Sequence, residues 1–129
     1  MTTFQIGFVI FPEMTQLDFT GPLQVFQYLP QSTTHVVAKS AQPVKSDGPL
    51  TVVPTQSFAT CPRLDLICVP GGTAGVIAAL SDRETIDFVR RQAEGAQYVT
   101  SVCTGAFVLG AAGLLKGRRA TTHLSLIHI

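Results

Sequence analysis

Residues 4–11 (FQIGFVIF) form an almost unbroken apolar run rich in β-formers, the pattern of a strand covered on both faces. Pro12 closes it. A polar loop follows, and Gly21-Pro22 predicts the start of a short helix to Leu29, because proline at the first helical position lacks only an N–H that would be unpaired there. Residues 35–38 (HVVA) predict a second strand. Asp47-Gly48, between Val44 and residues 50–53 (LTVV), predicts a small hairpin. Residues 64–69 (LDLICV) predict another buried strand, broken by Pro70-Gly71-Gly72. Ser81 and Glu84 have the spacing of a capping box, so a helix is expected from there to Glu94, with Gly95 as its left-handed stop. Residues 98–102 predict a strand and residues 104–115, rich in Ala, Leu and Gly, a helix. The predicted order is β-α-β-β-β-β-α-β-α.

Apolar strands alternating with helices imply a mostly parallel sheet covered on both faces, and reactive groups in such sheets collect at the C-terminal ends of the strands. The loops at 12–21, 71–75 and 101–105 leave those ends. The helix at 104–115 carries Phe107, Val108, Leu109, Leu114 and Leu115 with almost no charge before Lys116, so burial on more than one side is expected. Taken alone, the 129 residues are expected to leave part of this helix and a sheet edge uncovered, and to be poorly soluble and inactive.

Composition narrows the class. A chain of 129 residues, 46% hydrophobic and 13% charged, suits one well-buried globular domain. Net charge is +1 with no runs of one sign, which gives no support for nucleic-acid binding through this domain or for attraction to an anionic membrane. The start (MTTF) has neither the basic region nor the cleavage site of a signal peptide, and the apolar stretch at 106–115 is about half of the roughly 20 residues a membrane span needs, so a cytoplasmic protein is expected. The cysteines, Cys61, Cys68 and Cys103, are odd in number and form no C-x-x-C pair. That argues against a disulfide framework or a structural zinc site and leaves at least one thiol free.

The most informative residues are 101–105 (SVCTG). A cysteine stands between a predicted strand and a predicted helix, with a small residue two before it and glycine two after, as a nucleophile elbow requires because larger neighbours would collide with the backbone at so sharp a turn. Cys61 and Cys68 are expected only to pack. Asp18, among apolar neighbours before the predicted helix, fits either a helix cap or a proton donor near Cys103. Gly71-Gly72 could offer unobstructed N–H groups to an anion, or simply form a turn. His123 and His128 could serve as a base, although neither has an identifiable acid partner, and His35 is expected to be structural.

Three stretches carry a resemblance: residues 6–22 (IGFVIFPEMTQLDFTGP), 57–73 (SFATCPRLDLICVPGGT) and 98–123 (YVTSVCTGAFVLGAAGLLKGRRATTH). In matching order they resemble the ThiJ/PfpI superfamily, which is class I glutamine amidotransferase-like, and within it the bacterial isocyanide (isonitrile) hydratases. The resemblance implies a flavodoxin-like three-layer α/β sandwich with a mostly parallel sheet, incomplete here at its C-terminus, and a homodimer when full length. It implies Cys103 as nucleophile and Asp18 as general acid/base in the hydration of an organic isocyanide to an N-substituted formamide, a lyase reaction on a small molecule that needs no metal and no organic cofactor. Gly72, Thr73 and Thr104 are expected to bind and orient the reacting groups. Thr104 stands where protease-like members carry histidine, which favours a hydratase. The SVCTG and ATTH stretches are also similar to those of amidase-like ligand-sensing domains in AraC-type transcriptional regulators, the alternative function, and a third reading makes Cys103 a peroxide sensor. Family members continue past ATTH with tryptophan, so residues 1–123 are expected to be the N-terminal portion of one domain and residues 124–129 (LSLIHI) a non-native tail.

Overall fold

A computed structural model of the chain describes residues 3–126. Strand β1 (Phe4–Val9) leads to helix α1 (Leu17–Phe26) and strand β2 (Ser32–Ala38). The short strands β3 (Val44–Lys45), β4 (Thr51–Val52) and β5 (Gln56–Ser57) follow, then β6 (Leu66–Val69), α2 (Ala74–Leu80), α3 (Arg83–Gly95), β7 (Tyr98–Ser101) and α4 (Gly105–Ala111). A single 3₁₀ turn covers Leu124–Leu126. Five strands form one parallel sheet in the order β5-β2-β1-β6-β7, and β3 and β4 pair separately as an antiparallel hairpin.

Pairing explains the sequence pattern. Strand β1 has a neighbour on each side, and Ile6, Phe8 and Val9 are fully buried. Each contributes about 1.5–3 kcal/mol on leaving water, which is why the run is apolar at consecutive positions rather than alternate ones. All four residues of β6 are buried for the same reason. Strands β5 and β7 are the two sheet edges, and on β7 Tyr98 and Val99 are exposed. Helices α2, α3 and α4 pack on one another while α1 packs on β1, where Phe26 meets Phe8 with ring centroids 6.4 Å apart.

Several expected boundaries move. Helix α1 begins at Leu17, not at Gly21-Pro22, and Pro22 lies inside it. An interior proline costs about 3 kcal/mol, but burying Phe19, 2% exposed, returns a similar amount. Gln16 adds to this, its carbonyl accepting from the Thr20 N–H at 2.8 Å and from the Thr20 hydroxyl at 3.0 Å. The capping box does not form. Asp82 is the N-cap of α3, with an extended backbone whose carbonyl accepts from the Ile86 N–H at 3.1 Å, and Ser81 closes α2 instead. Gly95 is no left-handed stop, since the chain leaves α3 through an extended Ala96 and the space beside Gly95 is filled by the Arg63 side chain. Strand β5 and helix α2 had no counterpart in the sequence reading. Helix α4 ends at Ala111 rather than Leu115, and Phe107 on it is 45% exposed.

Candidate active site

The connection from β1 runs to β2 on one side of the sheet, while β6 lies on the other side of β1. A crevice therefore opens at the C-terminal ends of β1 and β6, the place where parallel α/β sheets hold their ligands. Asp18 arrives there after β1, Gly71 to Thr73 after β6 and Cys103 after β7.

Cys103 has a φ of 54°, in the left-handed region that a residue with a side chain occupies only when its surroundings hold it there. The turn is fixed on both flanks: the Val102 N–H donates to the Val69 carbonyl at 3.0 Å, and the Gly105 N–H to the Val102 carbonyl at 2.9 Å. Gly105 permits the close approach, because a Cβ there would strike the Val69 carbonyl oxygen and lie 2.7 Å from that of Pro70. This is the strand-turn-helix elbow that the SVCTG pattern predicts. The thiol is half-buried.

The loop after β6 ties the elbow to the first turn of α1. The Gly71 N–H donates to Asp18 Oδ2 at 3.1 Å, so the carboxylate bridges between chain segments. The Gly72 N–H donates to Thr104 Oγ1 at 2.9 Å, and the Thr104 hydroxyl donates to the Gly72 carbonyl at 2.7 Å. The N–H groups of Gly71 and Gly72, which the sequence left as either free donors or part of a turn, therefore both have acceptors. Gly71 is wedged between them: a Cβ there would lie 2.7 Å from Thr104 Oγ1 and 2.9 Å from Asp18 Oδ2. Those two oxygens are no further apart than the sum of these distances. Among the described residues, the Thr104 N–H, which follows the elbow cysteine, has no acceptor.

A second layer braces the first. The Thr15 N–H donates to the Gly71 carbonyl at 2.8 Å, and the Thr15 hydroxyl to Asp47 Oδ2 at 3.0 Å, which anchors the β3–β4 hairpin to the loop before Asp18. Sequence reasoning missed this brace; the Asp47-Gly48 turn signal marked the hairpin but not what it touches.

Cys103, Asp18, Gly72, Thr73 and Thr104 all border one open cleft of about 810 Å³. Its apolar wall is built by Ile77, Leu80 and Phe107, and His123 and Ser125 stand at its rim. His123 Nδ1 lies 2.7 Å from Ser125 Oγ. His128 lies outside the described residues. His35 is on β2, buried, with Nε2 2.6 Å from Gln5 Oε1. Burial pushes the Cys61 thiol up to about 11. Burial also raises that of Cys68, against a hydrogen bond from Thr100 and with a smaller contribution from the Asp18 charge. Both stay protonated and inert near neutral pH. Among the described residues no group of three His, Cys, Asp or Glu side chains converges as a metal site would need, and no helix is long and apolar enough to cross a membrane.

An elbow cysteine and a carboxylate meet in a sheet-end crevice of an α/β domain of flavodoxin-like architecture. The DJ-1/PfpI family model matches residues 5–128, and the chain belongs to that family. It is 57% identical over 119 residues to the isonitrile hydratase of Pseudomonas putida, a match covering 92% of this chain and 52% of that protein. A crystal structure of a ThiJ/PfpI family protein from Pseudomonas syringae superposes with a TM-score of 0.93 at 48% identity, covering 97% of this chain and 52% of that one. The HTH-type transcriptional regulator GbdR of Pseudomonas aeruginosa is 25% identical over 92% of this chain, which is 33% of the regulator. The chain thus spans about half the length of its hydratase relative.

Proposed function

We propose that the protein hydrates an organic isocyanide to an N-substituted formamide. The observation that carries this reading is the meeting, in one cleft, of an elbow cysteine and a carboxylate anchored by the Gly71 N–H. Similarity to a named isonitrile hydratase supplies the substrate class.

The chemistry balances with these groups and water. The Cys103 sulfur attacks the terminal isocyanide carbon, forming a C–S bond, and Asp18 delivers a proton to that carbon, giving a thioformimidate. The thiol proton replaces the one Asp18 gave up. Water then adds to the same carbon while the nitrogen takes a proton, and the C–S bond breaks to release the formamide and restore the thiol. In this reading the Thr104 N–H, without an acceptor among the described residues, serves the charge that develops beside the sulfur, Thr104 and Gly72 hold the elbow to the loop, and Thr73 edges the substrate space. No metal or organic cofactor enters the balance. We further propose a cytoplasmic homodimer as the working form.

The test is turnover. The intact protein mixed with an alkyl isocyanide should produce the matching formamide, and Cys103→Ala should not; absence of product with Cys103 shown to be reduced rejects the proposal. The second reading, a ligand-sensing domain of an AraC-type regulator, draws on the likeness to GbdR. It requires isocyanide or another small ligand to bind without turnover, and a DNA-binding unit elsewhere in the protein.

A further inference from the structure

The elbow turns the carbonyl of Cys103 out of the helix that follows it. With φ at 54°, residue 103 stands before α4, and the first bond of that helix runs from the Phe107 N–H to the Thr104 carbonyl at 3.1 Å. The Cys103 carbonyl instead accepts a hydrogen bond from the Thr122 hydroxyl at 3.2 Å. Residue 122 reaches it by a reversal of the chain after α4, through Gly113 and Gly117 with φ of 78° and 74°, values that glycine adopts without strain.

We propose that Thr122 is a positioning residue for the elbow. The carbonyl of Cys103 and the N–H of Thr104 belong to one planar peptide group, so whatever holds the oxygen also sets the direction of that N–H. Thr122 therefore fixes two things at once: the left-handed backbone that aims the Cys103 side chain and the orientation of the donor next to it. The Thr104 side chain is held separately by Gly72, so the residues on both sides of this peptide are tied to other segments. A substitution that removes only the Thr122 hydroxyl releases one grip and leaves the other.

This inference rests on Cys103 being the reactive thiol, and the experiment separates the two. Thr122→Val keeps the shape and the methyl group but loses the hydroxyl, whereas Thr122→Ser keeps the hydroxyl and loses the methyl. In the full chain, the rate of Cys103 carbamidomethylation by iodoacetamide, followed by peptide mass spectrometry, is expected to fall roughly fivefold in Thr122→Val, the scale of one hydrogen bond, and to return to within about twofold in Thr122→Ser. Melting temperatures of both variants report on folding. Thr122→Val reacting at the unsubstituted rate, or Thr122→Ser reacting as slowly as Thr122→Val, overturns the positioning role. Cys103 alkylating no faster than Cys61 in the unsubstituted chain overturns the nucleophile reading itself, and this inference with it.

Discussion

Replacing Gly71 by alanine tests the geometry of the site without removing any of its functional groups. The added Cβ would stand 2.7 Å from Thr104 Oγ1, 2.8 Å from the Thr104 backbone nitrogen and 2.9 Å from Asp18 Oδ2, where ordinary contact begins near 3.4 Å. Thr104 and Asp18 must retreat by about 0.5–0.7 Å, and the Gly71 N–H bond to Asp18 at 3.1 Å is stretched or lost as they do. Overpacking of this kind destabilises by about 1–3 kcal/mol. A displacement of about 1 Å at a reacting group lowers rates roughly 100-fold, so half that shift should lower kcat/KM roughly tenfold or more. The assay is formamide production from an isocyanide at saturating and limiting substrate, beside a thermal melt of the same preparation. Unchanged kcat/KM in Gly71→Ala, in protein shown to be folded, would refute the wedge and the picture of Asp18 and Thr104 held on either side of it.

Asp18→Asn preserves the shape of the side chain and an acceptor for the Gly71 N–H but cannot cycle a proton, so kcat should fall by roughly 100-fold or more with little change in melting temperature; near-normal turnover would return Asp18 to a purely structural bridge. Cys68→Ala should cost about 1–2 kcal/mol in denaturant unfolding, because the residue is 3% exposed in the core, and should leave turnover per folded molecule intact. Equal rate loss in Cys68→Ala and Cys103→Ala at equal folded fraction would contradict the division of roles. His35 is held neutral by burial, its folded value lying below the ordinary 6.5. The stability this represents is fully present above the unfolded value and is lost as pH falls through the folded one, so unfolding free energy should decline on acidification from pH 7 more steeply than in His35→Gln. Parallel curves for the two proteins would dismiss that contribution.

Strands β1 and β6 were legible because burial on both faces forces consecutive apolar residues over a short run closed by proline. The elbow was legible because small residues at 101 and 105 answer a steric demand that acts over five consecutive positions. Helix α2 escaped because its seven residues (AGVIAAL) follow Pro70-Gly71-Gly72 without a capping side chain, and only packing against α3 and α4 holds so short a helix. Pro22 misled for a related reason: its local preference favours a helix start, while the burial of Phe19 draws the start back to Leu17. The links from Asp18 to Gly71, Gly72 to Thr104, Thr15 to Asp47 and Cys103 to Thr122 join residues between 19 and 53 positions apart. Spacing along the chain carries no information about such pairings, so residues that border the cleft could be named from sequence whereas the way they hold one another could not.

The covalent step is the centre of the account, and intact-protein mass spectrometry examines it directly. Protein mixed rapidly with an isocyanide and quenched in acid should show a species heavier by one isocyanide, mapped by proteolysis to the peptide containing Cys103 and absent in Cys103→Ala. Formamide released at the full rate with no such adduct at any quench time, and retained in Cys103→Ala, would contradict nucleophilic catalysis by this cysteine.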